Sequence, residues 1–131
     1  MISYSDVKLG LMKLGLTDRY VIAHASLKAL GPIEGGAEAL LQILLASTRG
    51  VVMPTFTYKT MLTPQVGPPN NGIIYGKEQD LNRMAEPFQP DMPADPSMGI
   101  LPETLRRSPE AVRSWHPIQS FAGINADEIV N

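Results

Sequence analysis

Apolar positions recur at near-helical spacing close to the start of the chain. Val7, Leu9, Leu11, Met12 and Leu14 follow the polar pair Ser5-Asp6, and Gly15 interrupts them. The pattern predicts a first helix capped at Ser5-Asp6 and stopped at Gly15. Thr17-Asp18-Arg19 then turns the chain into the run Tyr20-Val21-Ile22-Ala23-His24, read as a strand. A second helical stretch begins at Gly35 or Gly36 and reaches Ala46, with Leu40, Leu41, Leu44 and Leu45 crowding one face. Arg49-Gly50 ends it, and Val51-Val52-Met53 reads as a buried strand. Two short apolar strands joined by a helix predict a right-handed βαβ unit with parallel pairing.

Periodicity disappears from about Thr57 to Pro96. Seven prolines (Pro64, Pro68, Pro69, Pro87, Pro90, Pro93 and Pro96) and three glycines (Gly67, Gly72 and Gly76) punctuate this segment. A loop of this length inside a small domain has two readings, a flexible insertion or a cover for a substrate. Order returns at Ser97, which is placed to cap a helix through about Arg107. Glu103 lies early in it and Arg106-Arg107 late, the favourable sense for the helix dipole. Ser108-Pro109 stops it. Val112 to Ser114 and Ser120 to Ile124 read as short strands split by Trp115-His116-Pro117.

Composition narrows the class. The 131 residues amount to one domain, and 44% hydrophobic with 18% charged residues describes a soluble globular chain. A net charge of −2 leaves no basic footprint for nucleic acid or an anionic membrane. The chain has no cysteine, hence no disulfide, thiolate nucleophile or thiolate metal site. His24 and His116 are the only histidines and lie far apart, so no metal is expected. Asp6 and Lys8 interrupt the N-terminus, which lacks the apolar core of a signal peptide. No apolar run approaches the ~20 residues that cross a bilayer. A cytoplasmic location is expected.

The block with most chemical content is HASLKALGPIEGG, His24 to Gly36. A strand that opens through a Ser- and Gly-containing loop into a helix presents backbone N–H groups to an anion. The same residues also fit a plain strand-to-helix turn whose glycines adopt positive φ.

Three blocks in order, HASLKALGPIEGGAEALL (His24–Leu41), VVMPTFT (Val51–Thr57) and SMGILPETLRRSPEAVRSWHPIQSFAGI (Ser97–Ile124), together resemble the aminoglycoside 3-N-acetyltransferases, the antibiotic N-acetyltransferase family. The resemblance implies an α/β fold with a mixed, largely parallel sheet flanked by helices, unlike the GNAT acetyltransferases. It implies transfer of an acetyl group from acetyl-CoA to the 3-amino group of an aminoglycoside antibiotic. His24, Ala25, Ser26, Leu27 and Gly31 are then expected against coenzyme A. Gly35 and Gly36 would open a helix toward its pyrophosphate, and Arg113 and Ser114 would lie near its phosphates. Ile118 departs from the acidic or polar residue that often follows the family's His-Pro pair, which leaves no carboxylate partner at that place.

His116 falls inside the third block, but the family's general base belongs to a motif beyond Asn131. The resemblance therefore favours a role for His116 in positioning the loop or the coenzyme, with direct catalysis by His116 as the lesser reading and the catalytic residue otherwise unassigned. Residues 1–131 read as the N-terminal part of one acetyltransferase-like domain, apparently truncated. A parallel sheet cut in this way predicts an exposed edge and self-association. The alternatives are a catalytically inactive remnant, a coenzyme A-binding module that needs a partner chain, or a relative that acetylates a different amine.

Overall fold

Ser3 rather than Ser5 opens the first helix. Its Oγ accepts the Asp6 N–H at 3.2 Å while Asp6 Oδ2 accepts the Ser3 N–H at 3.1 Å, so each residue caps the other across a Ser-x-x-Asp box. Helix α1 covers Tyr4–Lys13. The computed structural model describes residues 1–77 and 79–131; Glu78, inside the proline-rich segment expected to be loop, lies outside the described residues.

Strand β1 (Tyr20–Ile22) leads through a four-residue helix α2 (Leu27–Leu30) to helix α3 (Gly36–Ser47) and strand β2 (Gly50–Pro54). The expected parallel pair forms, with Val21 opposite Val51 and Ile22 opposite Val52. Helix α4 is Gln79–Met84 and helix α5 is Ile100–Arg107. Strands β3 (Val112–Arg113) and β4 (Phe121–Ile124) form an antiparallel pair, and α6 (Asp127–Val130) follows. Strand β4 inserts between β2 and β3, antiparallel to both, giving the order β1-β2-β4-β3. The sheet is mixed, with its parallel share confined to β1 and β2.

Alternation along β2 assigns the two faces. Val51 and Met53 point into the main core with Leu40, Leu41 and Leu44 of α3, Leu101 and Leu105 of α5, and Ala122 and Ile124 of β4. Val52 points the other way, onto Ala126 and Val130. Helix α1 packs against α3, so its apolar stripe reaches the core only through Val7 and Leu11. Leu9, Met12 and Leu14 remain exposed.

The helix expected from Ser97 begins later. Asp95 caps a single 3-10 turn, Pro96–Met98, and Gly99 then takes a φ of +92°, a left-handed value that glycine adopts without strain. Only after that reversal does α5 start, so its first turn is aimed differently from a helix continued out of Ser97.

Candidate functional site

The β1-to-α3 connection is built by capping rather than by extended loop. The Ala23 N–H still bonds the Val52 carbonyl at 2.9 Å, after which the chain leaves the sheet at His24. Ser26 Oγ accepts the Ala29 N–H at 3.4 Å and starts α2, a helix that no periodicity in the sequence announced. Gly31, at φ +85°, ends it. The Ile2 N–H donates to the Pro32 carbonyl and the Glu34 N–H to the Ile2 carbonyl, which ties the rest of the connection to the N-terminus. Gly35 then caps α3 at φ +76°, and a Cβ there would stand 2.6 Å from that of Ala39, so α3 begins where only glycine fits comfortably.

Helix α2 separates two grooves. One, of about 530 Å³, runs between Ala25–Lys28 and the turn Pro96–Ile100. The other, shallower and of about 490 Å³, is lined by Leu27, Lys28, Gly31, Pro32, Ile33 and Gly36. The structure thus brings Ala25, Ser26 and Leu27 together in the first groove, and Leu27, Gly31 and Gly36 in the second. Gly35 lines neither groove and stands at the head of α3. His24 is exposed and lines neither.

Two contributors escaped sequence reasoning. Lys28 lines both grooves, and Pro96–Ile100 supplies the opposite wall of the first. The signal for that wall was present as Asp95-Pro96-Ser97 followed by Gly99, a turn signature that interrupts the helix predicted there.

Arg113 and Ser114 lie on the β3–β4 hairpin and line neither groove. Arg113 Nε donates to Ser120 Oγ at 3.1 Å, Nη2 donates to the Thr55 carbonyl at 2.8 Å, and Nη1 donates to the carbonyls of Pro90 (3.0 Å) and Met92. Four of its five N–H groups therefore meet protein acceptors. Burial, with Arg106 nearby, pushes this guanidinium down to about 10, still charged at neutral pH. Ser114 Oγ accepts the Phe121 N–H at 2.9 Å. His116 is exposed, and its Nδ1 accepts the N–H groups of Ile118 (3.2 Å) and Gln119 (2.8 Å). The ring caps the Pro117–Gln119 turn, and in that geometry the neutral imidazole carries its proton on Nε2.

Comparison with known proteins identifies the class these features define. Solved structures with the same α/β arrangement include the YokD protein of Bacillus subtilis (TM-score 0.76, 26% identity), where the likeness covers 98% of this chain and 52% of that one. They also include the aminoglycoside acetyltransferase AAC(3)-IVa (TM-score 0.70, 25% identity; 99% and 43%). Aminoglycoside N(3)-acetyltransferase IX of Micromonospora chalcea is 34% identical over 94% of this chain and 44% of its own length. Aminoglycoside N(3)-acetyltransferase VII of Streptomyces paromomycinus is 36% identical over 88% and 40%. The family profile described as aminoglycoside 3-N-acetyltransferase matches residues 22–131. The chain belongs to this family, and it spans less than half the length of these two curated relatives.

Proposed function

We propose that this chain supplies the acetyl-CoA-binding part of an aminoglycoside 3-N-acetyltransferase, and that the groove between Ala25–Lys28 and Pro96–Ile100 takes the pantetheine arm. The carrying observation is the coincidence of family and geometry. The His24–Gly36 block falls within the matched residues, and it forms a groove of a size suited to a slender acyl carrier. Ser26 opens α2 at the edge of this groove, and Lys28 lines the same groove and is the cationic residue of its wall. Gly31 and Gly36 line the neighbouring groove on the other side of α2, and Gly35 stands at the head of α3 beside it in sequence.

In the full reaction the acceptor amine attacks the thioester carbonyl, a C–N bond forms, and the C–S bond breaks to release coenzyme A. The amine proton passes to a base, and donors hold the developing oxyanion. The acceptor in this proposal is an aminoglycoside. One solved relative, a histidine-to-alanine mutant of AAC(3)-IVa, is in complex with a gentamicin. Substrates of small size and a cytoplasmic location are part of the same reading, as is self-association along β1, an edge strand of the sheet, where Ile22 is 63% exposed.

One observation favours a second reading, a donor-binding module that depends on a partner chain for proton removal. Among the described residues, neither a carboxylate nor an imidazole lines the proposed donor groove. Calorimetric titration with coenzyme A, beside a Ser26→Trp variant that fills the groove, tests the site. Saturable binding to the unaltered chain that Ser26→Trp abolishes is expected; identical responses would place the coenzyme elsewhere. Incubation with acetyl-CoA, gentamicin and a thiol reagent separates the two readings, because only a self-sufficient enzyme releases thiol.

A further inference from the structure

The segment Pro90–Pro96 has three prolines in seven residues and so lacks the donors of a regular ladder. It is held instead by charged side chains from two other elements. Arg113 of β3 donates to the carbonyls of Pro90 and Met92, and Arg106 of α5 donates to the Asp91 carbonyl at 3.0 Å. Glu103 Oε2 accepts the Ala94 N–H at 3.1 Å. Glu103 and Arg106 are locked together by two bonds, Nε to Oε2 at 2.9 Å and Nη2 to Oε1 at 2.5 Å. Arg113 is fixed from behind by Thr55 and Ser120, and its guanidinium lies 5.3 Å from the centre of the Phe88 ring.

The strap leads straight into the donor groove. The Asp95 N–H donates to the Phe56 carbonyl at 2.7 Å, and Asp95 Oδ1 accepts from Ser97 at its N–H (2.9 Å) and hydroxyl (2.5 Å). Pro96 is thus the first residue of the groove wall and also lines a second crevice, of about 260 Å³, with Thr57–Lys59 and Pro93–Asp95. Whatever fixes Pro90–Asp95 sets where that shared wall stands.

We propose that Arg113, backed by the Glu103–Arg106 pair, is a positioning residue for donor binding, holding the Pro96–Ile100 wall at its distance from Ala25–Lys28. The inference rests on the donor reading above. Lysine cannot substitute, because three N–H groups on one nitrogen do not span acceptors that surround a planar fork.

The test uses the full chain carrying Arg113→Lys or Arg113→Met, with Val130→Ala on the opposite sheet face as a control that loosens the fold without touching the strap. Acetyl-CoA affinity is read by calorimetry well below every melting temperature, and amide exchange is read at Ala94 and Asp95. Preorganisation predicts faster exchange at those amides and binding weaker by about tenfold in both Arg113 variants, with unchanged affinity in Val130→Ala. Faster exchange with unchanged affinity overturns the inference and leaves the donor reading intact. Equal weakening in Val130→Ala also overturns it, since general loosening would then suffice. Absence of acetyl-CoA binding to the unaltered chain overturns both. Should the Arg113 variants fail to fold, Arg106→Gln removes the Asp91 contact together with the Glu103 pair while leaving Arg113 in place, and the same outcomes apply.

Discussion

The side-chain amide of Asn82 grips both polar groups of the Thr63 backbone. Nδ2 donates to the Thr63 carbonyl and Oδ1 accepts the Thr63 N–H, each at 2.8 Å. A side chain on α4 thereby does for the proline-rich segment what a neighbouring strand would do. The Glu86 N–H closes onto the Lys59 carbonyl at 2.9 Å, and the two side chains pair at 3.0 Å beside it.

Asn82→Asp keeps the acceptor and removes the donor, leaving the ionised carboxylate facing the Thr63 carbonyl. Loss of one hydrogen bond, with a carboxylate oxygen now facing the carbonyl, predicts destabilisation of about 1–3 kcal/mol, concentrated in this segment. Limited proteolysis should cut between residues 61 and 86 faster, while the sheet amides of β2 and β4 keep their exchange rates.

Gly35→Ala places a Cβ 2.6 Å from that of Ala39 on a backbone at φ +76°. Strain of this kind costs about 1–3 kcal/mol. Urea denaturation should show a lower midpoint, and Gly35→Ala combined with Ala39→Gly should relieve the clash but not the backbone cost. An unchanged midpoint in the single variant would falsify the capping geometry.

Acid stability should carry a contribution from Glu103. The Arg106 hydrogen bond, with the Ala94 N–H, holds this carboxyl below its ordinary value of 4.5 against the opposing effect of burial. A carboxyl depressed in the folded state stabilises fully above its unfolded value, and that stability is lost as pH falls through the lower folded value. Melting temperature should therefore fall more steeply below about pH 4.5 in the unaltered chain than in Glu103→Gln. Asp6 and Glu110, held low by the hydroxyls of Ser3 and Ser108, act alike in both proteins.

Ile22→Lys puts a charge on edge strand β1, where the side chain is already 63% exposed. Charge on an edge opposes pairing with another chain. If the unaltered chain associates through β1, light scattering should show the variant shifted toward monomer at equal concentration; an equal mass for both proteins assigns association to another surface.

Local patterns announced much of this. The leucines at Leu40, Leu41 and Leu44 wrote the buried face of α3, and the run Val51–Met53 wrote a buried strand, because period and composition follow directly from which side faces the core. The three family blocks likewise lay in plain order. Caps were less legible: Ser3 and Asp95 displaced Ser5 and Ser97 as helix or turn starts, since a cap depends on which hydroxyl or carboxylate meets a free N–H in three dimensions. Helix α2 is too short to show any period.

The order of residues by itself determined the helices that bury leucine, the parallel β1–β2 pair and the loop that carries Ser26. Tertiary structure alone decided that β4 would enter between β2 and β3, that Pro96–Ile100 would face Ala25–Lys28, and that Arg113 would hold a proline-rich strap. The reason is the range of the forces involved. Periodicity records what each residue does to its immediate neighbours, whereas a guanidinium's acceptors are chosen among carbonyls far along the chain that only packing brings within 3 Å of it.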